Sequence, residues 1–413
     1  METSLVQKIF SKRMLVAFGL GITGGLPLLL GGSTLQAWMK DLGANLTTIG
    51  LVSLIGLPYT LKFLWAPVFD RFVIKPFGRR RGWLFLTQAL CAGAIFNLAT
   101  VGGLEAPSLE VIAWGALILA FFSASQDIVI DAYRRETLSD EELGLGSSLY
   151  VSGYRVALLI SGAGSLAIAD IYNWQTVFYV MAAIMALGMG LTFWAKEPVV
   201  NDAPPVTFKE SVIDPFIDFF KRPGAWIFLA FIFFYKVGDQ MASNMTTPLY
   251  LDLGFSKLEI GAIVKGIGFW TTIIGGLFGG ILILKWGLIR SLFIFGILQM
   301  VSTAGFSILQ WIGKDNLALG VVIGFENITS GMGTAAFTAF LASLTNRRYT
   351  ATQYALLSSF MGIPRVFVAA PGGKMAESWG YFNFFLVCTF VAIPALFMIS
   401  KLAKLAEADK SQT

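Results

Sequence analysis

The sequence predicts an all-α membrane protein of twelve transmembrane helices arranged as two parallel six-helix repeats. Three observations carry the prediction. Of 413 residues, 56% are hydrophobic and 13% charged, where a soluble domain would carry about 25% charge. Runs of about 20 apolar residues, the length that crosses a bilayer, recur along the chain. Two pairs of segments also match at nearly one offset. In "KDLGANLTTIGLV" the residues Asp41, Leu42, Gly43, Ile49 and Gly50 stand 211 positions before Asp252, Leu253, Gly254, Ile260 and Gly261 of "LDLGFSKLEIGAIV". In "YRVALLISGAG" Arg155, Val156 and Gly162 stand 210 positions before Arg365, Val366 and Gly372 of "PRVFVAAPGGK".

Spans are expected near 14–38, 47–69, 83–104, 109–133, 146–170 and 174–195 in the first half. In the second they fall near 224–250, 257–284, 289–312, 316–343, 351–373 and 379–400. The opening "METSLVQKIFSKR" runs into the first span without a small-residue cleavage site and reads as a retained helix. Between the halves, "NDAPPVTFKESVIDPFIDFFKR" reads as a surface helix with Phe208, Val212, Phe216 and Phe219 on one side. The expected division is therefore 1–195, a linker 196–223, 224–400, and a tail 401–413. With both termini cytoplasmic, 21 of the 30 basic residues fall in cytoplasmic segments and four outside: Lys40, Lys257, Lys314 and Lys374. That asymmetry is the positive-inside signal. The basic residues sit in short loops, which excludes a nucleic-acid surface. Cys91 and Cys388 lie in apolar runs, so no disulfide framework is expected.

Charge inside the spans marks function. "SASQDIVIDAYRR" places Asp127 and Asp131 four residues apart on one helix face, and each carboxylate costs about 2.5–3.5 kcal/mol at a helix centre. Such a face must turn to the protein interior or to a water-filled cavity. Asp131, near the cytoplasmic end, is expected to pair with Arg135 or with the Arg71/Arg79 cluster as part of a gate. Asp127 lies deeper and needs a partner from another helix, Arg155 being the candidate. Lys62 is expected to snorkel to the interface. Lys236 and Asp239 can neutralise each other at i, i+3. Lys265 and Glu326 add further buried charge. The chain has no histidine, so any transported proton must ride on a carboxylate: Asp127, Asp239 or Glu326. Arg155, Arg365, Lys236 and Lys265 are candidate anion binders, and the two arginines, equivalent in the repeat, read equally as structural clamps. Gln36, Gln126, Asn244 and Asn327 supply amides. Tyr154, Tyr235, Tyr59, Phe269 and Trp270 supply aromatic platforms, and Trp38 reads as a residue of the lipid interface. No nucleotide-binding signature, cofactor or metal set is expected.

The loop "APVFDRFVIKPFGRRRGW" resembles the major facilitator loop signature, with Asp70, Arg71, Gly78, Arg79 and Arg80 at its positions and a few residues inserted. "GSTLQAWM", "KFLWAPVFDRF", "FGRRRGW", "SASQDIVIDA", "GYR", "FYKVGDQ", "NMTTPLYLDLGFSKLEIG" and "GMGTAAFTAFLASLTN", in this order, resemble the AmpG-type muropeptide permeases of the major facilitator superfamily. The resemblance implies the major facilitator fold, a monomeric carrier in the bacterial inner membrane, drive by the proton gradient, and a sugar–peptide substrate from the cell wall. It gives Asp70, Arg71, Arg79 and Arg80, with Asp131, the part of a cytoplasmic gate. The alternatives are a carrier of another bulky anionic metabolite, such as acetyl-coenzyme A, and a membrane sensor that transports nothing. A membrane enzyme lacks any nucleophile–base constellation.

Overall fold

The computed structural model describes residues 5–44, 52–200, 203–362 and 372–410. Among the described residues, the helical segments that bear on the fold are labelled here in chain order. They are α1 (Lys12–Asp41), α2 (Leu54–Leu64), α3 (Arg81–Gly102), α4 (Leu109–Thr137), α5 (Leu143–Ile171) and α6 (Trp174–Trp194). There follow α7 (Ala225–Asp252), α8 (Leu258–Trp286), α9 (Leu288–Ile312), α10 (Asn316–Ser343), α11 (Arg347–Met361) and α12 (Gly372–Leu402). Among the described residues, nine are long and apolar enough to cross a membrane. α10 and α11 qualify together as one broken span, bent by 102°, and α2 is shorter.

Local chemistry sets the ends. Ser139 and Glu142 form a reciprocal cap before α5, each backbone N–H donating to the other's side chain. Ser256 and Glu259 do the same at the start of α8, and Asn173 accepts the Thr176 N–H at the start of α6. These caps satisfy backbone donors that the first turn leaves orphaned. The two "DLG" turns have the same geometry. Gly43 and Gly254 sit at φ +81° and +86°, where a side chain would be strained. Asp41 accepts a hydrogen bond from the Trp174 indole at 2.9 Å, and Asp252 accepts one from the Tyr381 hydroxyl at 2.7 Å. α12 changes direction at Gly380 (φ +74°), near the expected boundary between the last two spans.

The chain packs as two compact units. One holds Met1–Pro215 with Ala342–Leu356, the other Phe216–Leu341 with Leu357–Thr413. The turn between α10 and α11, and the start of α11, thus pack with the first. Within that unit α1 crosses α5 at backbone contact: a Cβ on Gly21 would strike the Tyr150 carbonyl, and one on Gly153 the Phe18 carbonyl. In the second unit a Cβ on Gly275 would strike the Ile328 carbonyl and one on Gly331 the Thr272 carbonyl, which brings α8 against α10. Small residues are what permit such approach between membrane helices.

Two expectations are corrected. Trp38 is not at the lipid interface. It is 1% exposed and packs on Trp174 and Phe178 in the core of the first unit. The linker forms a π turn (Lys209–Ile213) before its helix (Asp214–Lys221). The wider turn rotates the register, so Phe219 is buried while Phe208 is exposed, and Ile213, Ile217 and Phe220 form the open apolar face.

Candidate functional site

In the first unit, α4 carries a buried polar stripe. Gln126 is 0% exposed, and neither end of its amide has a hydrogen-bond partner among the described residues. Asp127 Oδ1 is equally buried and accepts no hydrogen bond among them. It faces Gly24 of α1, where a Cβ would stand 3.5 Å from Oδ1 and 3.4 Å from the Tyr150 hydroxyl. Buried amide and carboxylate atoms without partners are rare because each costs desolvation, so water or a bound solute is the chemistry that suits them. Tyr154 and Arg155 lie half-buried on α5, and Gln36 half-buried on α1.

Asp131 is corrected in its partners. Its carboxylate pairs with Arg134 at 3.0 Å and stands 3.9 Å from Lys62. It does not pair with Arg135, which binds Asp140 at 2.8 Å. α4 stays helical to Thr137, which sets Arg134 at i+3 against Asp131 while Arg135, also buried, turns to Asp140 beyond the helix end. Arg134 is 2% exposed, donates to the Tyr354 hydroxyl at 3.0 Å and lies over the Tyr150 ring. Lys62 does not snorkel, being 7% exposed.

A second cluster sits at the helix ends. Asp70, 0% exposed, accepts from Arg80 at 2.7 Å and Arg79 at 3.3 Å. It also accepts the backbone N–H of Ala351 and Thr352 and the Thr352 hydroxyl. One carboxylate therefore holds the guanidinium pair to the N-terminus of the helix Thr350–Met361, where a negative charge is favoured. Arg80 also grips Glu136 at 2.8 Å and the Phe69 carbonyl, and Arg79 donates to the Arg348 carbonyl. Burial works against the Arg80 charge, but Glu136 and Asp70 outweigh it and hold its pKa above the ordinary guanidinium value. For Arg79, burial wins and lowers the value. Arg71 stays outside the cluster, half-buried against the Phe72 ring.

In the second unit, Lys236 and Asp239 pair at 3.3 Å, as their spacing suggests. Glu326 accepts from the Ser302 hydroxyl at 2.6 Å, which in turn accepts from Thr329 at 2.9 Å. A cavity of about 20 Å³, room for one water, opens beside Asp239, Gln299 and Cys388. Two expected ligands are committed elsewhere: Asn327 bonds Thr272 and the Ile323 carbonyl, and Tyr235 stacks on Phe337 with its hydroxyl on the Leu292 carbonyl. Asn244 is exposed on α7. Arg365 lies outside the described residues, and so does the side chain of Lys265. Sequence reasoning missed Arg134, Glu136 and Thr352. Only Arg134 had a signal, its i+3 spacing from Asp131.

A family model of the Major Facilitator Superfamily matches residues 14–369. The chain is 42% identical over 396 residues to the anhydromuropeptide permease of Escherichia coli K12, covering 95% of this chain and 80% of that one. An uncharacterised protein of Haemophilus influenzae is 41% identical over 419 residues, 98% of each chain. Among solved structures, the proton:xylose symporter XylE superposes with a TM-score of 0.71 at 11% identity, over 96% of both chains, which is a likeness of fold. The chain is thus an all-α, multi-pass membrane transporter that belongs to the Major Facilitator Superfamily and, within it, to the AmpG-type anhydromuropeptide permease family.

Proposed function

We propose that the protein imports anhydro-muropeptides, N-acetylglucosaminyl-anhydro-muramyl peptides, across the bacterial inner membrane for cell-wall recycling, driven by the proton gradient. The observation that carries the substrate is the 42% identity over nearly the whole chain to a protein named for that substrate. The chemistry suits it. A carboxylate-bearing sugar–peptide needs cations, for which Arg155, Arg365, Lys236 and Lys265 are proposed, with Gln36, Gln126, Asn244 and Tyr154 as polar and aromatic contacts. Asn327 and Tyr235 act by holding their helices. Asp127 is the proposed proton carrier, with Glu326 and Asp239 as its counterparts in the second half. Asp70, Arg79 and Arg80 form the proposed cytoplasmic gate, Asp70 releasing the start of α11 when it opens, while Asp131 with Arg134 and Lys62 braces it from α4. The proposed architecture is twelve spans in two six-helix repeats, 1–195 and 224–400, joined by the linker 196–223, with the tail 401–413 and the N-terminus in the cytoplasm. The distribution of basic residues supports that orientation. The working form is a monomer.

The test is uptake of labelled anhydro-muropeptide into proteoliposomes, with and without an imposed proton gradient. Accumulation only with the gradient is expected. Uptake of acetyl-coenzyme A in its place would move the chain to a different anionic substrate, and uptake of neither by folded protein would end the transport reading.

A further inference from the structure

Three span ends meet at one rim of the first unit. Lys12 and Arg13 begin α1, Glu136 and Thr137 end α4, and Lys196 and Glu197 follow α6. They enclose a cavity of about 380 Å³ that has no part in the transport reading. Its cations outnumber its carboxylates: Lys12, Arg13 and Lys196 stand against Glu136 and Glu197. Glu136 is held by Arg80 at 2.8 Å. Glu197 accepts the backbone N–H groups of Arg80 and Arg81, each at 2.8 Å. Arg13 is paired with Glu142 at 3.1 Å. Glu136 is thus neutralised and Glu197, still charged, is turned to the backbone donors, while Lys12 and Lys196 are in no ion pair among the described residues. Lys12 rests its ammonium 4.7 Å from the Trp194 ring, and Lys196 is exposed. On the same span ends Leu15, Phe193 and Trp194 present exposed apolar surface, Phe193 beside Phe85.

We propose that this cavity binds the phosphate headgroup of an anionic phospholipid, with Lys12 and Lys196 as the cationic contacts and the acyl chains lying along Leu15, Phe193 and Trp194. The position supplies the specificity. A headgroup at the end of a span stands at this level by construction, and an aromatic ring beside a lysine is the usual furniture of that level. A free phosphate would find the two amines but no use for the exposed apolar surface of the same span ends.

Native mass spectrometry of the purified full chain in detergent tests the assignment, with phosphatidylglycerol, phosphatidylcholine and inorganic phosphate as separate probes. Each lysine near an anionic headgroup is worth roughly a five-fold preference. The double variant Lys12→Gln/Lys196→Gln is therefore expected to lose about 25-fold in phosphatidylglycerol affinity, with phosphatidylcholine binding unchanged. Lys196→Arg keeps the charge and retains binding. If the double variant loses its fold, Lys196→Gln alone, at an exposed site, carries the comparison with a loss of about five-fold. Equal phosphatidylglycerol affinity in variant and wild type overturns the proposal. Inorganic phosphate bound as tightly as the lipid overturns it too, by assigning the cavity to a free anion. None of these results depends on what the protein transports.

Discussion

Asp127 and Asp131 stand one helical turn apart on α4, and their neighbours divide the work between them. Asp131 is tied to Arg134 and Lys62, whereas one oxygen of Asp127 is buried without a hydrogen bond among the described residues. A carboxylate held by two cations is committed to those pairs, and one without a fixed hydrogen-bond partner is open to a transported one. Asp127→Asn is therefore expected to abolish accumulation against a gradient while sparing counterflow, because the amide keeps shape and hydrogen bonding but releases no proton. Counterflow paired with uphill uptake checks this, and full accumulation by the variant would shift the proton to Glu326 or Asp239. Arg134→Ala is expected to act on folding, since it leaves Asp131 in a buried site with only the more distant lysine. Breaking a buried pair costs about 3–5 kcal/mol, which a melting curve in detergent would register. Arg155→Ala should weaken a carboxylate-bearing ligand by about 1.5–3 kcal/mol relative to its neutral analogue. An unchanged preference in a binding titration would make Arg155 a clamp.

At the scale of the element, glycine and caps decide where helices can lie. Gly21 and Gly153 let α1 and α5 touch backbone to backbone. Gly21→Ala and Gly153→Ala should each destabilise by about 1–3 kcal/mol through forced separation, whereas Gly93→Ala, which meets nothing within 4 Å, should leave the melting temperature unchanged. Equal melting of all three would refute the account of that crossing. These helices were legible as apolar runs, whereas the Ser-x-x-Glu caps that start α5 and α8 emerged only with the structure. The extent of α4 was not. Its last turn carries Arg134, Arg135 and Glu136, which hydropathy assigns to a loop, yet Arg134 and Glu136 find buried partners, Arg135 pairs with the exposed Asp140, and the helix continues to Thr137. The linker failed for a related reason: a π turn adds a residue that no periodicity of 3.6 anticipates.

At the scale of the whole molecule, the two matching DLG turns were readable because they are held by backbone geometry. Gly43 and Gly254 share a left-handed conformation, and Asp41 and Asp252 each take a hydrogen bond from an aromatic residue that differs in identity, Trp174 in one half and Tyr381 in the other. The cluster proposed as a gate was half readable. The Asp70 and Arg79/Arg80 motif is local, but its partners Glu136 and Thr352 come from distant segments and carry no signal of their own. What remains is to tie the substrate to the proton. The direct measurement is the pH inside weakly buffered proteoliposomes when anhydro-muropeptide is added outside. The account predicts that substrate addition acidifies the lumen with the wild-type chain and leaves it unchanged with Asp127→Asn. Substrate entry by the wild type with no movement of protons would contradict it.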